Sequence, residues 1–275
     1  MPARRRLARW RLAVRRPTGS LRRLPSLLVI GAQRCGTSSL YKYLGQHPGV
    51  APSLRKEIEY FSTRYTEGVD WYRAHFAWRL GERLAFEASP DYLLHPLAAT
   101  RAKQLLPQAR VIVMLRNPVD RAFSQYQHNR RLGNEDLSFD AALAAEPWRI
   151  EGESERLLTD PHYRAMPMRR YGYCERGKYD EQLEAWLALY PSLHIVRSED
   201  FFRAPGAVFE QVLDYLDLAP FEPADFRNYS IRQGSADPKD DPMSDEIRAR
   251  LQEQFAPHCS RLTALVGVDF GWPMG

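Results

Sequence analysis

No aspartate or glutamate occurs before Glu57. The 56 residues ahead of it hold thirteen of the chain's 39 arginines and lysines, leaving 26 basic against 34 acidic residues in the rest. The pI near 9.1 is therefore a property of an N-terminal arm, not of a basic domain face, and no nucleic-acid partner is expected. Cysteine is scarce and odd in number. Cys35, Cys174 and Cys259 lie far apart, which gives neither a disulfide framework nor a metal-ligand spacing. A reducing, cytoplasmic setting fits that usage. No apolar run approaches the ~18 residues of a membrane-spanning helix. No apolar segment follows the N-terminal arginines, which argues against a secretory signal. Internal repeats are absent, and only the arm is compositionally biased.

What remains is 275 residues at 44% apolar content, enough for one large domain with a sizeable core. The arm, residues 1–25, reads as a solvated and poorly ordered tail. The alternative is a surface arm for anionic lipid, with Trp10 and Leu12 dipping into the interface, which leaves peripheral membrane contact open. Residues 26–275 read as a single domain. Strand-like runs lie at Leu27–Ile30, Leu84–Glu87, Val111–Leu115 and His194–Val196. Helical patterns lie near Thr37–Gln46, Leu97–Leu106, Val119–Leu132, Tyr179–Tyr190 and Val208–Leu216. This alternation predicts an α/β fold of the P-loop type, three-layered, with a central, mostly parallel sheet flanked by helices. Residues 133–177, rich in charge, proline and tyrosine, read as an insertion covering the crevice at the strand ends. The C-terminal stretch reads as a helix broken near Pro257.

The stretch "LLVIGAQRCGTSSLYKYLGQHPGV" has the layout of a nucleotide phosphate loop: an apolar strand, a glycine-bounded loop, then a helix. Gly31, Gly36 and Ser38 fit the template, but Thr37 stands where triphosphatases carry lysine. Backbone N–H groups from Arg34 to Ser38 are placed to cradle an anion at the helix start. Thr37 and Ser38 add hydroxyls, and Arg34 adds charge from inside the loop. A second strand, "VIVMLRNP", ends in Arg116 where a magnesium-binding nucleotidase needs an acid. Arg116, the amides near Pro118 and the Ser124 hydroxyl form a second candidate anion site. The competing reading pairs Arg116 with Asp120 and leaves Ser124 on a polar face. Together the two strand ends predict two anionic groups and no metal. Glu57, after Arg55 and Lys56, is the candidate general base; Glu59 reads as a surface charge, and His47 as a residue closing a helix.

As an ordered set, "GAQRCGTSSLYKYLGQHPGV", "KEIEYF", "GVDWYRAHF", "EASPDYL", "VIVMLRNPVDRAFSQYQH" and "RGKYDEQLEAWLALYP" resemble the sulfotransferases that use 3′-phosphoadenosine 5′-phosphosulfate (PAPS), particularly the heparan-sulfate sulfotransferase-like group and its bacterial relatives. The resemblance runs from about Leu27 to Trp272. It implies that Arg34, Cys35, Gly36, Thr37, Ser38 and Ser39 hold the 5′-phosphosulfate, and that Arg116 and Ser124 hold the 3′-phosphate. It places Arg176 and Gly177 in a turn near the nucleotide and makes Glu57 the carboxylate that deprotonates the acceptor.

Two departures bear on the chemistry. The family usually has lysine where Arg34 stands, so the cation beside the bridging oxygen becomes a planar fork instead of a point donor. Ala88 occupies a place where animal enzymes carry lysine, removing one contact near the sulfuryl group. The animal enzymes' C-terminal cysteine pair also has no counterpart.

The expected reaction is in-line sulfuryl transfer from PAPS to an acceptor hydroxyl, on a carbohydrate or glycosylated small molecule. Adenosine 3′,5′-bisphosphate is the product, and no metal is required. Lys56, Asp91, Tyr171 and Tyr173 are candidate acceptor contacts, with Tyr163, Arg169 and Arg170 nearby. The rival readings are a P-loop small-molecule kinase, which needs an acidic metal ligand at a strand end, and a non-enzymatic binder of anionic surfaces acting through the arm.

Overall fold

A computed structural model of the chain describes residues 10–79, 83–229 and 242–273. Five parallel strands make one sheet: β1 (Leu27–Gly31), β2 (Val50–Pro52), β3 (Leu84–Ala88), β4 (Arg110–Leu115) and β5 (His194–Arg197). Their order is β2-β3-β1-β4-β5. The central strand β1 is buried along its whole length, as its unbroken apolar run requires when helices cover both faces. Parallel pairing and flanking helices realise the expected α/β architecture. The edge strand β2 was not anticipated: "VAP" is too short and ends in proline, a residue tolerated at an edge.

Chain connections leave β1 toward β2 and β3 on one side, and leave β4 toward β5 on the other. The carboxyl ends of β1 and β4 therefore flank a topological switch point, where parallel sheets open a crevice for ligands. Helix α1 (Thr37–Leu44) follows β1, α2 (Val69–Arg73) precedes β3, and α3 (Ala98–Leu105) precedes β4. Helix α4 (Pro118–Arg131) follows β4. Its start is set by Asn117, whose side-chain oxygen accepts from the Val119 and Asp120 amides, and by Pro118 in the first turn.

The stretch 133–177 folds into short helices: α5 (Phe139–Arg149), α6 (Glu153–Thr159) and α7 (Met166–Tyr171), then a 3-10 turn at Glu175–Gly177. A second apolar cluster fastens this stretch to α4 through Val119, Ala122, Phe139, Ala142, Tyr173, Cys174, Leu251 and Phe255. Helices α8 (Tyr179–Leu189), α9 (Ser198–Arg203), α10 (Pro205–Tyr215) and α11 (Asp245–Val266) complete the domain. Helix α11 passes through Pro257 without a break, contrary to the expectation. Its buried Leu251, Phe255 and Leu262 anchor it on both sides of the proline, and this packing outweighs local propensity.

The arm also differs from its sequence reading over the described part. Residues 10–15 are helical and Arg16–Leu21 form a 3-10 helix against α2. Arg15 Nε donates to the Ala74 carbonyl at 2.7 Å, and buried Arg22 lies 4.2 Å over the Trp78 ring while donating to the Phe76 carbonyl. These arginines act as hydrogen-bond forks for a loop rim, not as free charges. Residues 1–9 lie outside the described residues. Among the described residues, no helix is long and apolar enough to cross a membrane.

Candidate active site

The loop after β1 is strapped to the next strand: Ala32 N–H donates to the Met114 carbonyl of β4 at 2.7 Å. Gly36, at φ 101°, makes the turn into α1, and a Cβ there would meet Phe202 and Met114 at 3.0–3.1 Å. The conformation requires glycine, and the contact leaves little room for a side chain. Among the described residues, the amides of Gly36, Thr37 and Ser38 find no acceptor, as expected for a helix start shaped to receive an anion.

The loop's side chains divide by direction. Cys35 is fully buried, with its sulfur 3.8 Å from the Tyr179 hydroxyl, and burial pushes its thiol up. The Ser39 hydroxyl accepts from the Tyr229 amide at 3.0 Å. Both side chains thus belong to the loop's support and turn away from the crevice. Thr37 is nearly buried and Ser38 half-buried at the helix start.

Arg34 adopts a left-handed backbone, φ 70°, and crosses the crevice. Its Nε donates to the Ser124 hydroxyl on α4 at 3.1 Å. The two strand ends read as separate anion sites are joined by that bond. Burial, together with Arg131 and Arg116, pushes the Arg34 guanidinium down to about 10, still charged at neutral pH. An anion arriving there relieves both the like-charge repulsion and the lost hydration. Arg116 is half-buried at the end of β4, its carbonyl accepting from the Tyr179 hydroxyl at 3.0 Å. The alternative pairing with Asp120 is not formed; Asp120 accepts instead from Arg248 at 2.9 Å.

Glu57 also has a left-handed backbone, φ 63°. Its amide donates to the Ala88 carbonyl at the end of β3, and Arg55 Nη2 donates to the Glu57 carbonyl at 2.7 Å. Its side chain stays half-exposed, with Lys56 Nζ 2.7 Å from Oε1. Lys56 therefore touches the candidate base itself. The charge of Glu57 reaches His128 on α4 and Arg169 on α7.

Behind Glu57 lies a compact ionic cluster. Asp91 takes Arg176 on Oδ1 and Arg169 on Oδ2, each at 2.7 Å. Burial raises its carboxyl, but Arg176 and Arg169 outweigh that and hold it below its ordinary value. Arg169 also pairs with Glu59, which accepts from Thr63 as well. Glu59 is thus a structural carboxylate, not the surface charge it seemed. Arg176 is 3% exposed, and its Nε and Nη1 have no partner. Gly177 lets the turn close, since a Cβ there would sit 2.8 Å from the Phe255 ring and 3.1 Å from Pro118.

Of the remaining candidates, Tyr173 is fully buried. Its hydroxyl donates to Glu135 at 3.0 Å and accepts from Asn129 at 3.1 Å, so it supports α4 and is not open to an acceptor. Tyr171 is half-buried, donates to the Asn134 carbonyl, and lies under Arg149 at 4.3 Å. Tyr163 lies under Arg156 at 3.9 Å. Arg170 is exposed, with its carbonyl accepting from Gln125 and Asn129. His47 closes α1: its Nδ1 accepts from the Gly49 amide, so Nε2 carries the proton and donates to the Ala219 carbonyl at 3.0 Å.

His128 was missed in the sequence. It follows Ser124 by four residues on α4, and that i,i+4 spacing puts both on one face. Burial first, then Arg34 and Arg131, lower the His128 imidazole from its ordinary value, which favours the neutral form beside Glu57.

The surroundings of this site match known proteins. The family described as "Sulfotransferase domain" matches residues 24–260. The membrane-associated sulfotransferase kil1 of Dictyostelium discoideum is 28% identical, covering 92% of this chain and 68% of its own length. The human bifunctional heparan sulfate N-deacetylase/N-sulfotransferase 2 is 32% identical over 72% of this chain, but the match spans only 22% of that larger protein. Among solved structures, a sulfotransferase from Alicyclobacillus acidocaldarius superposes with a TM-score of 0.73 at 30% identity, covering 90% of this chain and 98% of that one. The phosphate-type loop, the arginine-tipped β4 and the switch-point crevice lie within the matched span, and the chain belongs to the sulfotransferase domain family, as an enzyme of sulfuryl transfer.

Proposed function

We propose that the protein moves the sulfuryl group of PAPS to a hydroxyl of a carbohydrate or glycosylated small molecule in one in-line displacement. The observation that carries this reading is the 3.1 Å bond from Arg34 to Ser124, which joins the loop after β1 to the helix after β4. A nucleotide with phosphates at both ends of its ribose suits that pair of sites. The donor set fits it further: loop amides, the guanidiniums of Arg34 and Arg116, and the unpartnered Nε and Nη1 of buried Arg176.

In this reading Glu57 takes the acceptor proton, the acceptor oxygen forms a bond to sulfur, and the bond from sulfur to the bridging phosphate oxygen breaks. Charge growing on the leaving phosphate meets Arg34 and the loop amides, already oriented before the reaction. Lys56 holds the Glu57 carboxylate in the crevice mouth. A kinase reading needs an acid at the end of β4, where Arg116 stands. The heparan sulfate relatives support a polysaccharide-type acceptor. Labelled PAPS offered with a panel of hydroxyl- and amine-bearing sugars tests the reading. Label transfer to a sugar hydroxyl is expected; transfer to none of the panel, or to amines alone, contradicts it.

A second reading concerns location. The three free cysteines suit a reducing cytoplasm. Trp10 is 63% exposed, with exposed Val14 one turn on and Arg11 beside it, which suits weak contact with an anionic membrane surface. Sedimentation with phosphatidylserine vesicles should fall for Trp10→Ser if this contact forms.

A further inference from the structure

Arg121 lies on α4, about one turn before Ser124, and is 0% exposed. Its Nη1 donates to Gln125 Oε1 at 2.8 Å, Nη2 donates to the Tyr173 carbonyl, and Nε has no partner. Both acceptors are neutral, and among the described residues no carboxylate pairs with it. Two other deeply buried arginines without carboxylates, Arg22 and Arg101, lie over aromatic rings at 4.2 and 4.5 Å. Arg121 has no such ring among the described residues. Its charged neighbours within electrostatic reach include Arg34 and Arg176, of like sign. Glu146 is a carboxylate within electrostatic reach, but it makes no hydrogen bond to Arg121 and accepts from the Cys174 and Glu175 amides at 2.7–2.9 Å. A buried guanidinium without a directly paired carboxylate costs folding free energy and survives where something else needs it.

We propose that Arg121 is a positioning residue of the nucleotide site, a buried cation with no directly paired carboxylate, whose charge serves the doubly phosphorylated nucleotide bound across the ends of β1 and β4. This rests on the PAPS reading above. Arg121 acts from behind the site: its charge adds to the potential that Arg34 and Arg116 present, through a protein interior that screens less than water. The substitution that harms binding should therefore spare the fold, because an apolar side chain removes a buried charge.

Calorimetry with adenosine 3′,5′-bisphosphate, and melting without ligand, on the full chain and on Arg121→Met and Arg121→Lys, test this. The expected result is nucleotide affinity about tenfold weaker for Arg121→Met, on the scale of one unit charge acting across a partly screened interior. Its unliganded melting temperature should be equal or higher, and Arg121→Lys should keep most of the affinity. Unchanged affinity in Arg121→Met overturns the proposal while leaving the PAPS reading intact. So does an Arg121→Lys variant that binds as poorly as Arg121→Met, since the fork and not the charge would then matter. If Arg121→Met does not fold, Arg121→Lys decides alone: near-native affinity supports the proposal and a tenfold loss overturns it. No binding by the unaltered chain overturns the PAPS reading and this inference together.

Discussion

Two groups of arginines surround the candidate site, and their partners differ. Arg34 and Arg116, after the ends of β1 and β4, and Arg121 on α4 have no carboxylate within ion-pair distance among the described residues; Arg34 and Arg121 bond to a hydroxyl, an amide and a carbonyl. Arg169 and Arg176, against the loop after β3, share Asp91, and Arg169 also holds Glu59. The first group carries positive charge with no directly paired carboxylate, which suits a site for anions. The second is largely neutralised and serves as a clasp, holding α7 and the turn at Glu175–Gly177 against the crevice wall. Glu57 stands between them, within reach of both His128 and Arg169.

The largest expected effect is on the residue between the groups. Glu57→Gln should lower kcat by about 10²–10⁴ and leave nucleotide affinity nearly intact, if the carboxylate is the base. Steady-state turnover beside calorimetry measures the split; near-normal turnover would return Glu57 to the surface and leave the crevice without its base.

Next comes the group without paired carboxylates. Arg34→Ala should cost about 10²–10³ in kcat, more than it costs in ground-state binding, because the charge it meets grows as the bond breaks. Arg34→Lys should recover much of this. If lysine is as damaging as alanine, the fork that reaches Ser124 is what matters, and the leaving-group role is wrong.

The compensated group should respond in stability instead. Asp91→Asn leaves two largely buried arginines short of their shared carboxylate, a change of about 3–5 kcal/mol, or roughly 10 °C in melting temperature for a chain of this size. A melting temperature equal to that of the unaltered protein would remove the distinction between clasp and site.

The smallest effect is a pH dependence within this framework. Burial pushes His75 and His95 down to about 4, against an ordinary value near 6.5. Between those values the unfolded chain binds more protons than the folded one, so the stability these groups contribute is present above pH 6.5 and lost as pH falls toward 4. The melting temperature should drop over that window, and His75→Phe should flatten the slope. A flat profile in the unaltered protein would contradict the neutral burial of both rings.

The sheet was legible from sequence because its strands are apolar runs with helices between them. β2 was not, since three residues of an edge strand carry no period. Arg34 and Arg116 could be singled out because they follow strand ends, and Ser124 because it lies on the helix after β4; the fold brings Arg34 and Ser124 together. The clasp was not legible: Asp91, Arg169, Arg176 and Glu59 come from four separated stretches, and only the packing of α7 over the loop after β3 joins them. Tyr173 misled because a tyrosine near the crevice in sequence looks the same whether its hydroxyl faces a ligand or Glu135. The arm misled for a similar reason, since Arg15 and Arg22 find carbonyls that no local pattern reveals. Pro257 suggested a break that buried leucine and phenylalanine on both sides prevent.

The central claim is that the arginines without paired carboxylates form one site for two phosphates. Calorimetry in EDTA, comparing adenosine 3′,5′-bisphosphate with adenosine 5′-monophosphate, tests it most directly. The account predicts that the bisphosphate binds at least tenfold more tightly, since the 3′-phosphate adds a charge-assisted contact to Arg116 and Ser124. Equal affinity for the two nucleotides would contradict it.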